Sequence, residues 1–550
     1  MIEYSMILLM SPAFHILIVA KDQLNILASF YQTAHHSINS SNSFLFLSYL
    51  KRQRQRDNKH SILTQKDEQN ILLSVVALAS ARRPFRWHSD LSIYNKLTDE
   101  ALFARSEKHL LRSIQYQWFT QRLDHFNTIN QQTFQQRYVI NDQYWNGKGP
   151  VFIMINGEGP MSLATVTGLQ FVNWAQQSNA LIISLEHRYY GASFATDDLS
   201  TDNLAYLTPQ QALADNAAFR EFVAVTFNVP ATSKWVSFGG SYSGCLTSWF
   251  RIKYPNLVDY TVASSGPVNA EVNFYQYLEV VQNSLLTATN GQQCVSNIAQ
   301  ATQKIQALLS QPNGLETVSD MFNLFPALES QNDVANFMQS LAGNFMGVVQ
   351  YNLEEVGPSV ETLCQTMTDS SNDALTNYIA IWNQYAQGET LDVSYDTMIS
   401  ELTNVTNDQN IVGGRQWFFQ TCAQFGFYQT SDSPNQPFGN LFPLEFQIQQ
   451  CSDVFGFDFL PNVNWTLLDF GGLNPVTSNV IYVNGDIDPW HSLGITASFP
   501  AAGENTETIL IHGTAHCADM MMPTAGVSPS TLAPAQTIIG QQIQSFLSQN

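Results

Sequence analysis

The chain has 550 residues, with 24 Lys and Arg against 45 Asp and Glu, a formal charge of −21, and 44% apolar residues, a composition that excludes a wholly disordered chain. The charge is uneven: residues 1–110 hold 13 basic and 9 acidic residues, residues 111–550 hold 11 and 36, and beyond Lys253 the only cations are Lys304 and Arg415. So few cations cannot neutralise a run of phosphates, which argues against nucleic acid and anionic membrane as partners, while so acidic a body repels itself least in a mildly acidic compartment.

In chain order, no apolar run reaches the roughly 18 residues of a bilayer span, so no membrane span is expected in the mature form. Met6–Ala20 is apolar but interrupted by Pro12 and His15, whereas Ile71–Ala81 (ILLSVVALASA) ends in Ala79-Ser80-Ala81 before Arg82-Arg83-Pro84. The second run has the form of a secretory signal with its cleavage site, although it begins some 70 residues in. The favoured reading places residues 1–70 outside the working product, because Lys51–Lys59 (KRQRQRDNK) and the Ser/Asn-rich lead-in cannot build a core. The alternative makes Met6–Ala20 the signal and Ile71–Ala81 an ordinary apolar stretch. Both end in the secretory pathway, outside the cell or in the lysosome. Six cysteines, an even number, fit that oxidising route, as do the sequons at Asn404 and Asn464. Residues 1–81 are thus an extension with a signal segment, and 82–116 a propeptide-like or linker segment.

From Gln117 the pattern changes. Pro150–Asn156 (PVFIMIN) and Ala180–Leu185 (ALIISL) are continuous apolar runs, as expected of strands buried on both faces, and Lys234–Phe238 and Tyr260–Ala263 continue the series. Thr208–Phe227 reads as a helix with Thr208 as N-cap and Pro209 in its first turn. Strands separated by helices imply parallel βαβ units over 117–267. From 268 to 469 the chain is rich in Gln, Asn, Leu and Met with helical spacing, as at Ile298, Ile305, Leu308 and Leu309, and carries four of the cysteines: a helical insertion. Strand character returns in 470–550 at Val480–Val483 and Thr508–Ile511, and a helix around Ala535–Leu547 closes the chain.

The segment Lys-Trp-Val-Ser-Phe-Gly-Gly-Ser-Tyr-Ser-Gly, residues 234–244, runs from an apolar strand through two glycines and a serine into the helix-like Cys245–Tyr254. This is the form of a nucleophile elbow, a strand-to-helix turn so tight that the serine's neighbours must be small. Ser241 is the candidate, with Gly239 at −2 and Ser243 in place of the usual glycine at +2. Ser243, flanked at the same offsets by Ser241 and Cys245, fits less well. A serine hydroxyl needs a histidine base and the histidine a carboxylate, and in α/β-hydrolases these follow in the order Ser, acid, His. Val480–Val483 leads to Asp486 and Asp488; Thr508–Ile511 leads to His512 and His516. Asp488, stiffened by Pro489, and His516, in the loop proper, are the better pair. Asp486 suits an Asx-turn, and His512, at the end of the strand run, a structural role. No metal site is expected, because i, i+4 ligation by His512 and His516 needs a helix and this segment reads as strand then loop; no cofactor is implied. The backbone N–H of Tyr242 and one from the Asn156-Gly-Glu-Gly-Pro160 loop, at Gly157, are the expected oxyanion donors.

Phe119-Thr-Gln-Arg-Leu-Asp-His-Phe-Asn127, Asn156-Gly-Glu-Gly159, Glu186-His-Arg-Tyr-Tyr-Gly191, Leu207–Asp215, Gly239-Gly-Ser-Tyr242, Asp488-Pro-Trp490 and Ala515-His516 resemble, in that order, the serine peptidases that include lysosomal Pro-X carboxypeptidase, dipeptidyl peptidase II and thymus-specific serine protease. Asn484-Gly-Asp-Ile-Asp-Pro-Trp-His491 looks most like the thymus-specific branch. The resemblance covers Gln117 to the C-terminus and implies an α/β-hydrolase fold with a large helical cap between the nucleophile half and the Asp/His half. It implies the triad Ser241, Asp488 and His516, disulfides Cys294–Cys364 and Cys422–Cys451, and an exopeptidase acting on short peptides through an acyl-enzyme, of dipeptidyl-peptidase or Pro-X carboxypeptidase type. Cys245–Cys517 is a further pairing suggested only by their nearness to triad members, and a homodimer is left open. Trp490 and His491 are candidates to line the pocket. A chain end must be held by a fixed charge, and the scarcity of cations tilts the expectation towards an amine held by Glu158 or Glu186, either of which could instead be an ordinary hydrogen-bonded core carboxylate. The rival functions are a carboxylic-ester hydrolase of the same fold and a catalytically silent hydrolase-like binding module.

Overall fold

The computed structural model describes residues 114–353, 358–408 and 413–549, together with two N-terminal strands. Those strands, Tyr4–Leu8 and Ile16–Ala20, pair antiparallel with Tyr4 opposite Ala20 and belong to a unit of their own. The signal-like run 71–81 and the linker up to residue 113 lie outside the described residues.

In the main unit eight strands form one sheet: β1 (Gln117–Arg122), β2 (Thr133–Asn141), β3 (Val151–Ile155), β4 (Leu181–Leu185), β5 (Trp235–Gly240), β6 (Tyr260–Ser264), β7 (Val480–Gly485) and β8 (Thr506–Ile511). Their spatial order is β1-β2-β4-β3-β5-β6-β7-β8. β1 with β2 and β2 with β4 are antiparallel, and the other pairings are parallel. This is the α/β-hydrolase fold. The central strands β3, β4, β6 and β7 are buried at every position, which is why they read as unbroken apolar runs. β1 (QWFTQR) and β2 (TFQQRYVIN) do not: β1, at the sheet edge, buries only Gln121, and β2 alternates exposed and buried residues over its first half.

Helices cover both faces. α1 (Gln170–Ser178) places Trp174 and Phe171 on one face with Phe152, Phe238, Ile539 and Ile543. α2 (Pro209–Thr226) and α3 (Tyr242–Lys253) cover the other with Phe219, Leu246, Trp249 and Phe250. Thr208 caps α2 by accepting from the Gln211 N–H. Between β6 and β7 lies the insertion: α4 (Gln276–Leu285), α5 (Gly291–Leu309), α6 (Gly314–Met321), α7 (Gln331–Gln350), α8 (Val360–Met367), α9 (Ala374–Ala386), α10 (Tyr395–Leu402), α11 (Gly414–Gln420), α12 (Leu444–Phe455) and α13 (Val463–Phe470). Its interior residues, such as Phe337, Phe345 and Trp382, join the same apolar cluster as Trp249 and Phe250. Cys294 of α5 bonds Cys364 of α8, and Cys422 bonds Cys451 of α12. No helix among the described residues is long and apolar enough to cross a membrane. α14 (Leu532–Ser548) ends the chain against α1.

Candidate active site

Ser241 stands between β5 and α3 at φ +58° and ψ −131°. Its N–H donates to the Ser264 carbonyl at the end of β6, 3.0 Å away. The turn tolerates only small neighbours: a Cβ on Gly239 would overlap the Ser243 carbonyl, and one on Gly244 the Ser264 carbonyl. Ser243 is committed to the turn, since its Oγ accepts from the Gly240 N–H at 3.0 Å and donates to the Gly240 carbonyl at 2.7 Å.

Asp488 follows β7 and is buried; its Oδ1 accepts the Trp490 N–H at 2.9 Å, and its Oδ2 accepts from His516 Nδ1 at 2.9 Å. His516 follows β8, is also buried, and leaves Nε2 without a hydrogen-bond partner among the described residues. With Nδ1 donating to the carboxylate, Nε2 carries the lone pair that a base needs. The competing residues are spent elsewhere. Asp486 binds His512 Nδ1 at 2.9 Å and the Gly513 N–H, and the His512 side chain is 75% exposed.

The loops close on the elbow. A Cβ on Gly240 would come within 2.9 Å of Cys517 Sγ, beside His516. Gly157, after β3, faces the first turn of α3: a Cβ there would be 3.2 Å from the Ser243 nitrogen and 3.5 Å from Tyr242 Cδ1. Asn156 fixes that loop through bonds to Ser184 Oγ and the Leu185 carbonyl, both 2.7 Å. Cys245 and Cys517 form no disulfide, a correction to their suggested pairing. Cys245 is on the buried side of α3 in the apolar cluster shared with the insertion, whereas Cys517 flanks Gly240.

Glu186 is buried and saturated, accepting from the Met161 N–H, the Ala192 N–H, Ser193 Oγ and the Arg137 guanidinium. That leaves Glu158. Burial pushes its carboxyl up, and the nearby His516 pulls it down. Trp490 is buried, its Nε1 donating to Gln350 Oε1 at 2.9 Å, and His491 Nδ1 turns back to the Asp488 carbonyl at 2.6 Å. Under Tyr242 lies a closed network. Burial lowers the His187 pKa to about 4, so its neutral ring bonds the Arg188 carbonyl through Nδ1 and Tyr242 Oη through Nε2; Gln420 Nε2 donates to Tyr242 Oη, and Tyr190 Oη to Gln420 Oε1.

Two residues near the site went unread in the sequence. Gln350, the last residue of α7, accepts the His516 N–H at its carbonyl (2.9 Å) and Tyr277 Oη at its side chain (2.7 Å); nothing in a Gln at a helix end marks it. Asp519, three residues after His516, is buried and bonds Ser264 Oγ at 2.5 Å; a carboxylate so close to the histidine was visible.

The model of the serine carboxypeptidase S28 family matches residues 121–538. Thymus-specific serine protease from Homo sapiens is 35% identical over 449 residues, covering 78% of this chain and 86% of that protein. Its Mus musculus counterpart is 35% identical over 446 residues, covering 78% and 87%. Lysosomal Pro-X carboxypeptidase from Mus musculus is 27% identical over 423 residues, covering 73% and 83%. Since the family match spans the elbow and both partner loops in one continuous stretch, the chain belongs to the serine carboxypeptidase S28 family and is a serine peptidase.

Proposed function

We propose that Ser241, His516 and Asp488 carry out the peptide hydrolysis. His516 Nε2 takes the Ser241 proton, Ser241 Oγ attacks the peptide carbonyl, and the N–H groups of Tyr242 and Gly157 receive the oxyanion. The protonated His516 then protonates the leaving amine, and water releases the acyl group by the same steps. The observation that carries this reading is the buried 2.9 Å bond between Asp488 and His516 Nδ1, which leaves Nε2 as an open acceptor beside the elbow. Labelling with a fluorophosphonate, together with turnover of Xaa-Pro amides and p-nitrophenyl esters, tests it. Ser241→Ala should abolish the label, and Asp488→Asn should lower kcat by roughly three to four orders of magnitude; a label that survives Ser241→Ala refutes it.

The finer reading is that the site takes the free amino end of a short peptide, with Glu158 facing the ammonium. A carboxylate end would need a cation, but Arg188 pairs with Asp215, Arg137 with Glu186 and Lys253 with Asp469, while Arg415 donates to the Leu199 and Leu402 carbonyls and Lys304 pairs with Asp373 at the surface. In the same assay Glu158→Gln should raise KM for free peptides and not for N-acetylated ones; equal losses would end this reading. Passage through the secretory pathway, to the lysosome or outside, is supported by exposed Asn404 and Asn464 and by the two disulfides. A mature chain without a glycan at either asparagine would count against it.

A further inference from the structure

Asp519 takes no part in the hydrolysis as described, yet it is a carboxylate buried beside the site. It lies in a short turn, Ala518–Met520, immediately after the His516 loop, and is 3% exposed. Its Oδ2 meets Ser264 Oγ at 2.5 Å. Ser264 is also the residue whose carbonyl receives the Ser241 N–H at 3.0 Å. The next residue, Ser265, accepts the Cys517 N–H at Oγ (2.9 Å) and donates its own N–H to the Val483 carbonyl of β7 (2.7 Å). Behind it, Gln536 of α14 holds the Asp519 carbonyl at 2.9 Å. One residue therefore links the histidine loop to the backbone that holds the serine.

We infer that Asp519 is a positioning residue for peptide hydrolysis, joining the His516 loop through Ser264 to the Ser241 turn. The inference rests on the proposed roles of Ser241 and His516. A neutral, hydrogen-bonded residue would suffice to hold the loop, and burial favours the neutral acid, raising the Asp519 carboxyl to about 6 against the opposing pull of Ser264 and His516.

The test compares wild type with Asp519→Asn, Asp519→Ala and Ser264→Ala. Active sites are counted by fluorophosphonate, and kcat and KM are followed across pH 4–8. Asp519→Asn keeps an acceptor for Ser264 and removes the charge. Its kcat per labelled site should stay within about threefold of wild type with KM little changed. Asp519→Ala and Ser264→Ala should lower kcat per labelled site by about tenfold or more with KM little changed. A purely structural role would reduce the number of labelled sites and leave kcat per labelled site unchanged. An alanine variant that matches the asparagine variant in kcat per labelled site overturns the inference. If Asp519→Ala does not fold, Asp519→Asn and Ser264→Ala decide. Failure of the label in wild type, or its persistence in Ser241→Ala, would refute the triad instead.

Discussion

Ser241 occupies a backbone region, φ +58° and ψ −131°, that side chains avoid and glycine tolerates, and such residues cost of order 1–3 kcal/mol. The Ser264 carbonyl and the close approach of Gly239 and Gly244 hold it there. Ser241→Gly should therefore be inert towards fluorophosphonate yet unfold at higher denaturant, a gain of about 1 kcal/mol. Ser243→Ala should do the reverse. It removes two buried bonds to Gly240, which costs about 1–3 kcal/mol, but keeps the label. Equal loss of labelling in both variants would count against Ser241. Glycine spacing alone favours the proposed Ser241 only weakly; the bonds that engage the Ser243 hydroxyl with Gly240 support it on chemical grounds. The choice between Glu158 and Glu186 could not be made from sequence at all, because Arg137, which neutralises Glu186, lies on β2, a strand whose mixed polar sequence hides it.

At the level of elements, the insertion is fastened to the catalytic loops by named contacts. The Gln350 carbonyl at the end of α7 receives the His516 N–H, Ser284 of α4 donates to the Ile487 carbonyl, and Phe274, Tyr277 and Phe427 ring Trp490. Its own helices are tied by the disulfides, which close loops of 70 and 29 residues. On a chain-entropy basis each is worth about 4 kcal/mol. The Cys294→Ser/Cys364→Ser variant should lose several degrees in Tm and activity per molecule together, because α8 and α5 pack around α4, which touches the Asp488 loop. A lower Tm with unchanged activity would show the insertion to be energetically separate from the site. The helical character of this region was readable from its periodicity. Which helix end would touch His516 was not, because Gln350 and His516 are far apart in sequence and nothing local to either names the other.

For the whole molecule, the excess of acid over base in residues 111–550 makes stability a matter of pH. Asp519, with a folded value of about 6, supports the fold while protonated, so its contribution is present below the ordinary carboxylate range and lost as pH rises through about 6. Asp215 is the opposite case. Burial works against its charge, but Arg188 and His125 hold its carboxyl below the usual value, so its contribution is present above that value and lost only as pH falls further into acid. Repulsion among the remaining carboxylates also eases below neutrality. Buried His187, lowered to about 4, works against this below its ordinary value of 6.5, since its contribution is lost as pH falls through that range; Tm should therefore peak at roughly pH 6–7 and fall by a few degrees towards pH 8, with added salt narrowing that fall. A Tm that rises steadily towards pH 8 would contradict this. What the amino-acid order determined alone was whatever depends on near neighbours: the buried parallel strands, the capped helix at Thr208, the small residues around Ser241, and the succession of serine, aspartate and histidine after β5, β7 and β8. The folded chain decided that Asp488 pairs with His516, Asp486 with His512 and Glu186 with Arg137, because each hydrogen bond joins residues on different strands or their loops, which nothing local in the sequence brings together.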